Sequence, residues 1–187
     1  MASANRIRII GGKWRGRKLA VAPSPGLRPT PDRARETLFN WLAPHIAGAR
    51  VLDLFAGTGA LGFEALSRGA AHATLVERDG AAVRMLRQHQ RMLEANASIA
   101  HADARAFLRQ HFKPEGDAPR WDVIFLDPPF DSPLLALTLQ DIERCLAPNC
   151  LIYVETDTEL SFPDYATHRA SRAGNVHYGL LTHSGST

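Results

Sequence analysis

From residue 50 onwards, short apolar runs alternate with stretches that have the periodicity of amphipathic helices. The apolar runs predict five strands, at Val51–Phe55, Ala73–Glu77, Ser98–His101, Val123–Leu126 and Leu151–Glu155. Helices are predicted between them, around Gly59–Ser67, Gly80–Ala95, Ala104–His111 and Leu134–Leu146. Because this alternation is typical of βαβ units, the sequence predicts an α/β fold with a mostly parallel sheet and helices on both of its faces.

The C-terminal end departs from this alternation. Two runs of strand character, Tyr165–Ser171 and Val176–Thr182, flank the turn signal Ala173-Gly174-Asn175. Strand runs that are joined by such a short turn predict an antiparallel hairpin, and we expect this hairpin to complete the sheet.

The N-terminal end predicts a second hairpin and a helix. Arg6-Ile7-Arg8-Ile9 alternates like a half-buried strand, Gly11-Gly12 is a turn signal, and Lys13–Leu19 is predicted to return as a strand. Thr30 as N-cap, followed by Pro31 and Asp32, is a favourable helix start. One apolar face follows, and Pro44 ends the helix; the face consists of Ala34, Leu38, Trp41 and Leu42. We assign residues 1–30 to an N-terminal extension and residues 31–187 to the main domain.

Composition limits the class of protein. A chain of 187 residues, 45% of them hydrophobic, can form one domain with an appendage. The 2 cysteines do not form a CxxC motif, which argues against a disulfide framework and a zinc site. The sequence has neither an apolar signal segment nor a run of about 20 apolar residues that could span a membrane. We therefore expect a monomeric cytoplasmic protein that uses no metal and contacts no membrane.

Positive charge is concentrated at the N-terminus. Residues 1–35 contain nine Lys or Arg and one acid, a net charge of +8, whereas the remaining residues carry a net charge of −5. Arginine, whose planar guanidinium suits phosphates and bases, predominates among the basic residues. This asymmetry favours a polyanion as partner, although a solvated terminal tail is the alternative.

A glycine-rich turn follows the first predicted strand of the main domain. Gly57, Gly59 and Gly62 have the GxGxxG spacing of nucleotide-binding folds, in which the backbone and a helix N-terminus approach the ligand closely. Asp53 ends the strand, and a carboxylate there suits a cationic ligand better than a pyrophosphate. S-adenosylmethionine (SAM) carries an ammonium and a sulfonium and lacks phosphate. The alternative is that Asp53 is a surface or capping acid.

Acids also follow the next two predicted strands. Glu77 can accept hydrogen bonds from ribose hydroxyls, an arrangement shared by folds that bind NAD and folds that bind SAM. Asp103 can accept from an adenine amino group, although taken alone it is better explained as a helix N-cap. Because open α/β sheets bind ligands at the carboxyl ends of their strands, the three acids together predict one ligand site.

The fourth predicted strand delivers Asp127-Pro128-Pro129-Phe130 to the same edge. The prolines fix the backbone and remove two N–H donors, so we expect their carbonyls to point outward as acceptors beside the Asp127 carboxylate. These acceptors can bind an exocyclic amine while Phe130 stacks on the base. A rigid turn without chemical function is the alternative.

Two sets of motifs resemble known families. Asp-Leu-Phe-Ala-Gly-Thr-Gly and Asp-Pro-Pro-Phe resemble the amino-group methyltransferases that use SAM. The segments Arg8–Leu19 and Leu27–Leu42 resemble, more narrowly, the bacterial enzymes that methylate guanine N2 in 16S ribosomal RNA. The resemblance runs from about Arg6 to the C-terminal hairpin. It implies a Rossmann-like, seven-stranded class I methyltransferase fold, SAM as cofactor, and a partner that is 16S rRNA within the small ribosomal subunit or its assembly intermediate.

The resemblance also implies roles for particular residues. The implied catalytic residues are Asp127, Pro128, Pro129 and Phe130. The implied cofactor-binding residues are Asp53, Ala56, Gly57, Thr58, Gly59, Glu77, Arg78, Asp103 and Ala104. In the basic arm, the predicted RNA-binding residues are Arg8, Lys13, Trp14, Arg15, Arg17, Lys18, Arg28 and Arg33. The predicted reaction is a direct in-line methyl transfer. The alternatives are an adenine-N6 or DNA amino-methyltransferase and, from other classes, a non-catalytic RNA-binding module or an NAD-binding protein.

Overall fold

The computed structural model describes residues 6–21, 32–111, 120–130 and 132–185. Its strands are β1 (Arg6–Arg8), β2 (Lys18–Ala20), β3 (Arg50–Asp53), β4 (His72–Glu77), β5 (Ala97–His101), β6 (Trp121–Leu126), β7 (Leu146–Thr156), β8 (Tyr165–Ala173) and β9 (Val176–His183). Its α-helices are α1 (Asp32–Leu42), α2 (Ala60–Ser67), α3 (Gly80–Leu93), α4 (Ala104–His111) and α5 (Leu134–Ile142).

Strands β3 to β9 form one seven-stranded sheet in the order β5-β4-β3-β6-β7-β9-β8. Neighbours from β5 to β7 pair in parallel, whereas β9 pairs antiparallel with both β7 and β8. The predicted fold class is therefore confirmed, including the C-terminal hairpin. Because β4 and β6 flank β3 on opposite sides, the strand order reverses beside β3. Open α/β sheets bind ligands at such a point.

Both faces of the sheet are covered by helices. On one face, α1 and α2 contribute buried side chains such as Leu38 and Phe63 to the core. On the other face, α4 and α5 form a second core that contains Phe107. Val51 lies in the first core and its neighbour Leu52 in the second. Burial on both faces explains why the strands of the parallel part are continuous apolar runs.

The N-terminal hairpin is shorter than predicted. β1 pairs antiparallel with β2, and Ile7 is buried between the exposed Arg6 and Arg8, as their alternation predicts. The prediction of a strand over Lys13–Leu19 is wrong except for its last two residues. Gly12–Trp14 forms a 3-10 helix, a turn follows it, and β2 begins only at Lys18. The Trp14 N–H of that 3-10 helix donates to the Ser67 hydroxyl of α2 and not to a strand partner. The helix predicted after the hairpin is α1, and its predicted N-cap lies outside the described residues.

The helix predicted over Leu134–Leu146 is shorter in the structure than in the prediction. α5 stops at Ile142, a 3-10 turn follows, and Leu146 already belongs to β7. β7 begins five residues before the predicted strand, and its pairing with β6 shifts in register near its start. Asn149 has a φ of 61° there. A bulge of this kind tolerates a proline and a left-handed residue, which local patterns assign to a turn.

Within the described residues, no helix is both long and apolar enough to cross a membrane. The same residues contain no group of three or more His, Cys, Asp or Glu side chains arranged to hold a metal ion.

Candidate active site at the carboxyl edge of the sheet

Three predicted site acids meet where the central strands end. Asp53 is the last residue of β3, Glu77 is the last residue of β4, and Asp127 directly follows β6. β3 lies between β4 and β6, and the charge of Asp53 acts on Asp127 while that of Glu77 acts on Asp53. The structure therefore brings these three carboxyl groups to one edge. Their roles toward a cofactor and a base stay predictions.

Asp53 is buried, with 3% of its surface exposed, and its Oδ2 accepts a hydrogen bond from the Gly62 N–H at 3.1 Å. Burial raises the pKa of the Asp53 carboxyl from 3.8 to about 7, and the Glu77 charge adds to this against the lowering effect of the Gly62 bond. No lysine or arginine among the described residues forms an ion pair with Asp53, Glu77 or Asp127. This edge is therefore suited to a positively charged ligand.

The raised pKa of Asp53 predicts a pH-dependent stability. The unfolded carboxyl ionises near pH 4 and the folded one near pH 7, so the free energy of unfolding should fall as pH rises through that window. Asp53→Asn keeps an acceptor for Gly62 and removes the charge. The variant should be more stable than the parent by up to about 4 kcal/mol at pH 8, and by much less at pH 4. Urea denaturation at both pH values measures this; an equal difference at both would contradict it.

The glycine-rich loop connects β3 to α2. Gly59, which precedes the helix, has a φ of 78°, and a Cβ there would lie 2.6 Å from the Phe63 ring. Glycine is therefore required at this position. Glu77 binds the loop to the end of β4, because its carboxylate accepts the N–H of Gly57 at 2.8 Å and that of Asp79 at 2.7 Å. The loop is thus held against the two strands that carry Asp53 and Glu77.

The remaining predicted cofactor residues flank this loop. Ala56 is buried and its N–H donates to the Val76 carbonyl at 3.0 Å, while Thr58 is half-buried and Arg78 exposed. Asp103 caps α4, since its Oδ1 accepts the Ala106 N–H at 3.0 Å. The helix N-cap reading of Asp103 is thereby confirmed. Ala104, the first residue of α4, is buried. The contact of Asp103 with an adenine stays a prediction.

The Asp-Pro-Pro-Phe segment leaves β6 at the same edge. Burial and the charges of Glu155 and Asp53 raise the pKa of the Asp127 carboxyl well above its ordinary range. Pro128 is buried, whereas Phe130 is 40% exposed and so presents an aromatic ring to solvent. The Pro129 carbonyl accepts the Ser132 hydroxyl at 2.7 Å. One of the two carbonyls expected as outward acceptors is therefore already engaged.

Glu155 was missed as a site residue by sequence reasoning. It lies in β7, where Val154 pairs with Leu126 of β6, so Glu155 stands beside Asp127 in the next register position. It is only 5% exposed and accepts the Tyr153 hydroxyl at 2.8 Å. The signal was present, because Glu155 closes an apolar strand in the way that Asp53 does.

The basic hairpin presents its charged side chains to solvent. The exposed predicted RNA contacts are Arg8, Lys13, Arg15, Arg17, Lys18 and Arg33. Trp14 is half-buried and packs against the core, and the Lys13 Nζ lies 5.6 Å from the centre of its ring. The Arg8 guanidinium lies 3.4 Å from the Asp32 carboxylate. Arg28 lies outside the described residues.

The fold and the edge can be compared with known proteins. A family model described as Conserved hypothetical protein 95 matches residues 7–182. The chain belongs to this family. It is 49% identical over 186 residues to ribosomal RNA small subunit methyltransferase D of Escherichia coli K12. The aligned region covers 96% of this chain and 91% of the relative. The resemblance inferred from the sequence motifs is thereby confirmed.

Solved structures support the same assignment. Escherichia coli yhhF has a TM-score of 0.84 and 49% identity, covering 96% of this chain and 98% of that one. A more distant methyltransferase structure, SMU.776, was solved in complex with SAH; it has a TM-score of 0.66 at 17% identity and covers 88% of this chain and 53% of that one. The second likeness concerns the fold alone.

Proposed function

We propose that this chain methylates the exocyclic N2 of a guanine in 16S rRNA, using SAM, on the small ribosomal subunit or its assembly intermediate. The observation that carries the proposal is the edge that joins Asp53, Glu77 and Asp127 beside the glycine-rich loop. Membership of a family whose relatives are named as small-subunit rRNA methyltransferases supports the substrate class. The family resemblance of the N-terminal block supports guanine N2.

The acidic edge supports a cationic cofactor. Burial raises the pKa of the Asp53 carboxyl to about 7, and burial with neighbouring charges raises that of Asp127. A cation beside these groups stabilises their charged forms and so is bound favourably. A pyrophosphate such as that of NAD would add repulsion to the same carboxylates. SAM therefore fits this donor set better than a dinucleotide does.

Each part of the edge has a proposed contact with the cofactor. The methionine portion of SAM would be lined by Asp53, Ala56, Gly57, Thr58 and Gly59. Glu77 and the neighbouring Arg78 lie at the ribose, where each Glu77 oxygen retains an acceptor lone pair beside its backbone bond. Asp103 and Ala104 lie at the adenine.

The proposed chemistry needs positioning more than activation. Bound SAM would supply a methyl group on a positively charged sulfur for in-line transfer to the base nitrogen, with the S–C bond breaking and S-adenosylhomocysteine as the leaving group. The Asp127 carboxyl and the Pro128 carbonyl accept the amine N–H bonds, which directs the nitrogen lone pair toward the methyl group. Phe130 stacks on the base, which must be unpaired or turned outward to reach it.

Asp127 also suits the proton that N2 loses. Burial and the adjacent Glu155 raise the pKa of the Asp127 carboxyl, so its ionised form is a stronger base than an ordinary aspartate. Asp127 would then pass the proton to water. No metal or covalent nucleophile is required.

Nucleoside analysis tests the proposal. Digests of 16S rRNA from cells with and without the gene are compared by mass spectrometry, and the gene is returned on a plasmid as control. We expect loss of one N2-methylguanosine and its restoration by the plasmid. An unchanged guanosine profile, or loss of N6-methyladenosine, would contradict the proposal. Calorimetry on the purified protein should detect binding of S-adenosylhomocysteine and none of NAD.

A further inference from the structure

The turn of the basic hairpin is bound to α2 by a buried carboxylate. Glu64 lies in α2 with no exposed surface, and its two oxygens accept the N–H groups of Ile10 at 2.7 Å and Gly11 at 2.8 Å. The Arg68 Nε donates to the same carboxylate at 2.7 Å. Hydrogen bonds to a charged group are stronger than those between neutral groups, so the carboxylate holds the backbone of the turn firmly.

A serine one turn further along α2 completes the attachment. The Ser67 hydroxyl accepts the Trp14 N–H at 2.9 Å and donates to the Gly11 carbonyl at 2.6 Å. Gly12 lies so close that a Cβ on it would be 1.8 Å from the Ser67 carbonyl oxygen. Glu64 and Ser67 together, called the clamp here, therefore satisfy three N–H groups and one carbonyl of the turn.

The same helix begins at the candidate cofactor loop. Gly59 precedes α2, and the Gly62 N–H in its first turn bonds to Asp53. α2 has 8 residues, which corresponds to a length of about 12 Å. One short, buried helix thus joins the glycine-rich loop at its N-terminus to the basic turn at its C-terminus.

We propose that the clamp positions the basic turn at a fixed distance from the methyl-donor loop and so selects which nucleotide of the bound RNA reaches Asp127. This inference rests on the proposed function, in which the turn binds RNA phosphates. Phosphate contacts set the register of a nucleic acid on a protein without reading its sequence. A rigid spacer between those contacts and the reaction site converts that register into a choice of base. Glu64 and Ser67 are therefore positioning residues.

The strands of the hairpin do not depend on the clamp. Ile7, Ile9 and Leu19 are buried, so the strands are anchored by apolar packing. Lys13, Arg15 and Arg17 are exposed and make none of the clamp bonds. Opening the clamp should therefore release the turn while leaving the charges of the arm and the core unchanged.

Two glycines of the same hairpin provide a matched test. Gly12 has a φ of 74° and Gly16 has a φ of 83°, so alanine strains the backbone similarly at both positions. Only at Gly12 does the new Cβ meet α2, since nothing lies within 4 Å of a Cβ at Gly16. Gly12→Ala should open the clamp, whereas Gly16→Ala should leave it closed.

The readouts are methylation of undermethylated small subunits, RNA binding at several salt concentrations, and binding of S-adenosylhomocysteine. For Gly12→Ala we expect kcat/KM on subunits to fall about tenfold or more relative to Gly16→Ala. A tenfold fall corresponds to the free energy that about one hydrogen bond contributes. The salt dependence of RNA binding and the affinity for S-adenosylhomocysteine should be the same in both variants. Ser67→Ala should show a smaller loss in the same direction, and Ser67→Thr should restore activity.

Three results would overturn the inference. These are equal kcat/KM for the two glycine variants, a smaller salt slope for Gly12→Ala, or a weaker affinity for S-adenosylhomocysteine in that variant. Hydrogen exchange at the Ile10 and Gly11 amides measures the clamp without any RNA. If the exchange shows an opened clamp in Gly12→Ala but neither the parent nor Gly16→Ala methylates subunits, the proposed function fails instead.

Discussion

Asp127→Ala is expected to lower kcat for methyl transfer by about 10²–10³-fold, while the affinity for S-adenosylhomocysteine changes little. Asp127 would act on the base amine, and loss of one preorganised group that acts on the reacting atoms has a cost of this size. In the proposed site the cofactor would be held mainly by the glycine-rich loop and by Asp53 and Glu77, which the substitution leaves intact. Single-turnover kinetics on undermethylated subunits and calorimetry measure the two quantities.

Asp122→Ala is the matched control for this variant. Asp122 is the second residue of β6, at the end of the strand opposite to Asp127. It is exposed and, among the hydrogen bonds of the described residues, accepts only the Arg50 N–H at 2.8 Å. Its removal should leave kcat unchanged. An equal loss of turnover and of cofactor affinity in Asp127→Ala would contradict the role that we assign to Asp127.

Replacing Arg15, Arg17 and Lys18 together with alanine should weaken RNA binding and flatten its dependence on salt. Each phosphate contact that is lost reduces the slope of log K against log salt by about 0.7 to 0.9, so three contacts account for a change of about 2 to 3. All three side chains are exposed, so the fold should be retained. RNA binding by fluorescence anisotropy between low and moderate salt measures the slope.

Three arginines on α3 provide the control with the same change in charge. Arg84, Arg87 and Arg91 are exposed and are spaced as neighbours on one face of the helix. Their triple alanine variant should change the salt slope much less than the hairpin variant. Equal slopes for the two variants would mean that net charge, and not the hairpin surface, determines RNA binding.

The position of the three acids at one edge of the sheet could be predicted, because it follows from the topology. Asp53, Glu77 and Asp127 each close a recognisable apolar strand, and parallel strands end at one edge of a sheet. Neither contact between distant residues nor knowledge of side-chain conformation was needed. Glu155 also lies at the end of an apolar parallel strand, so it could have been predicted as a site residue for the same reason.

Other features could not be predicted, because their causes are distant in sequence. The attachment of Gly11 to Glu64 spans 53 residues, and no local pattern marks either partner. The 3-10 helix at Gly12–Trp14 lies against the same part of α2, and the local pattern, which lacks that distant partner, predicts a strand instead. Near the start of β7, Pro148 and Asn149 have the local character of a turn, yet they lie within the strand, at the register shift between Leu146 and Leu151.

The clamp has a consequence for the order of events during synthesis. The hairpin leaves the ribosome before α2, because the carboxylate that holds Ile10 lies 54 residues further along the chain. The basic turn therefore lacks its clamp until α2 has formed, and α2 itself packs against β3 and β4, which also follow the hairpin in the chain. A nascent or truncated chain that ends before α2 carries the charge of the arm without its fixed geometry. Ordered presentation of that arm is acquired only together with the catalytic domain.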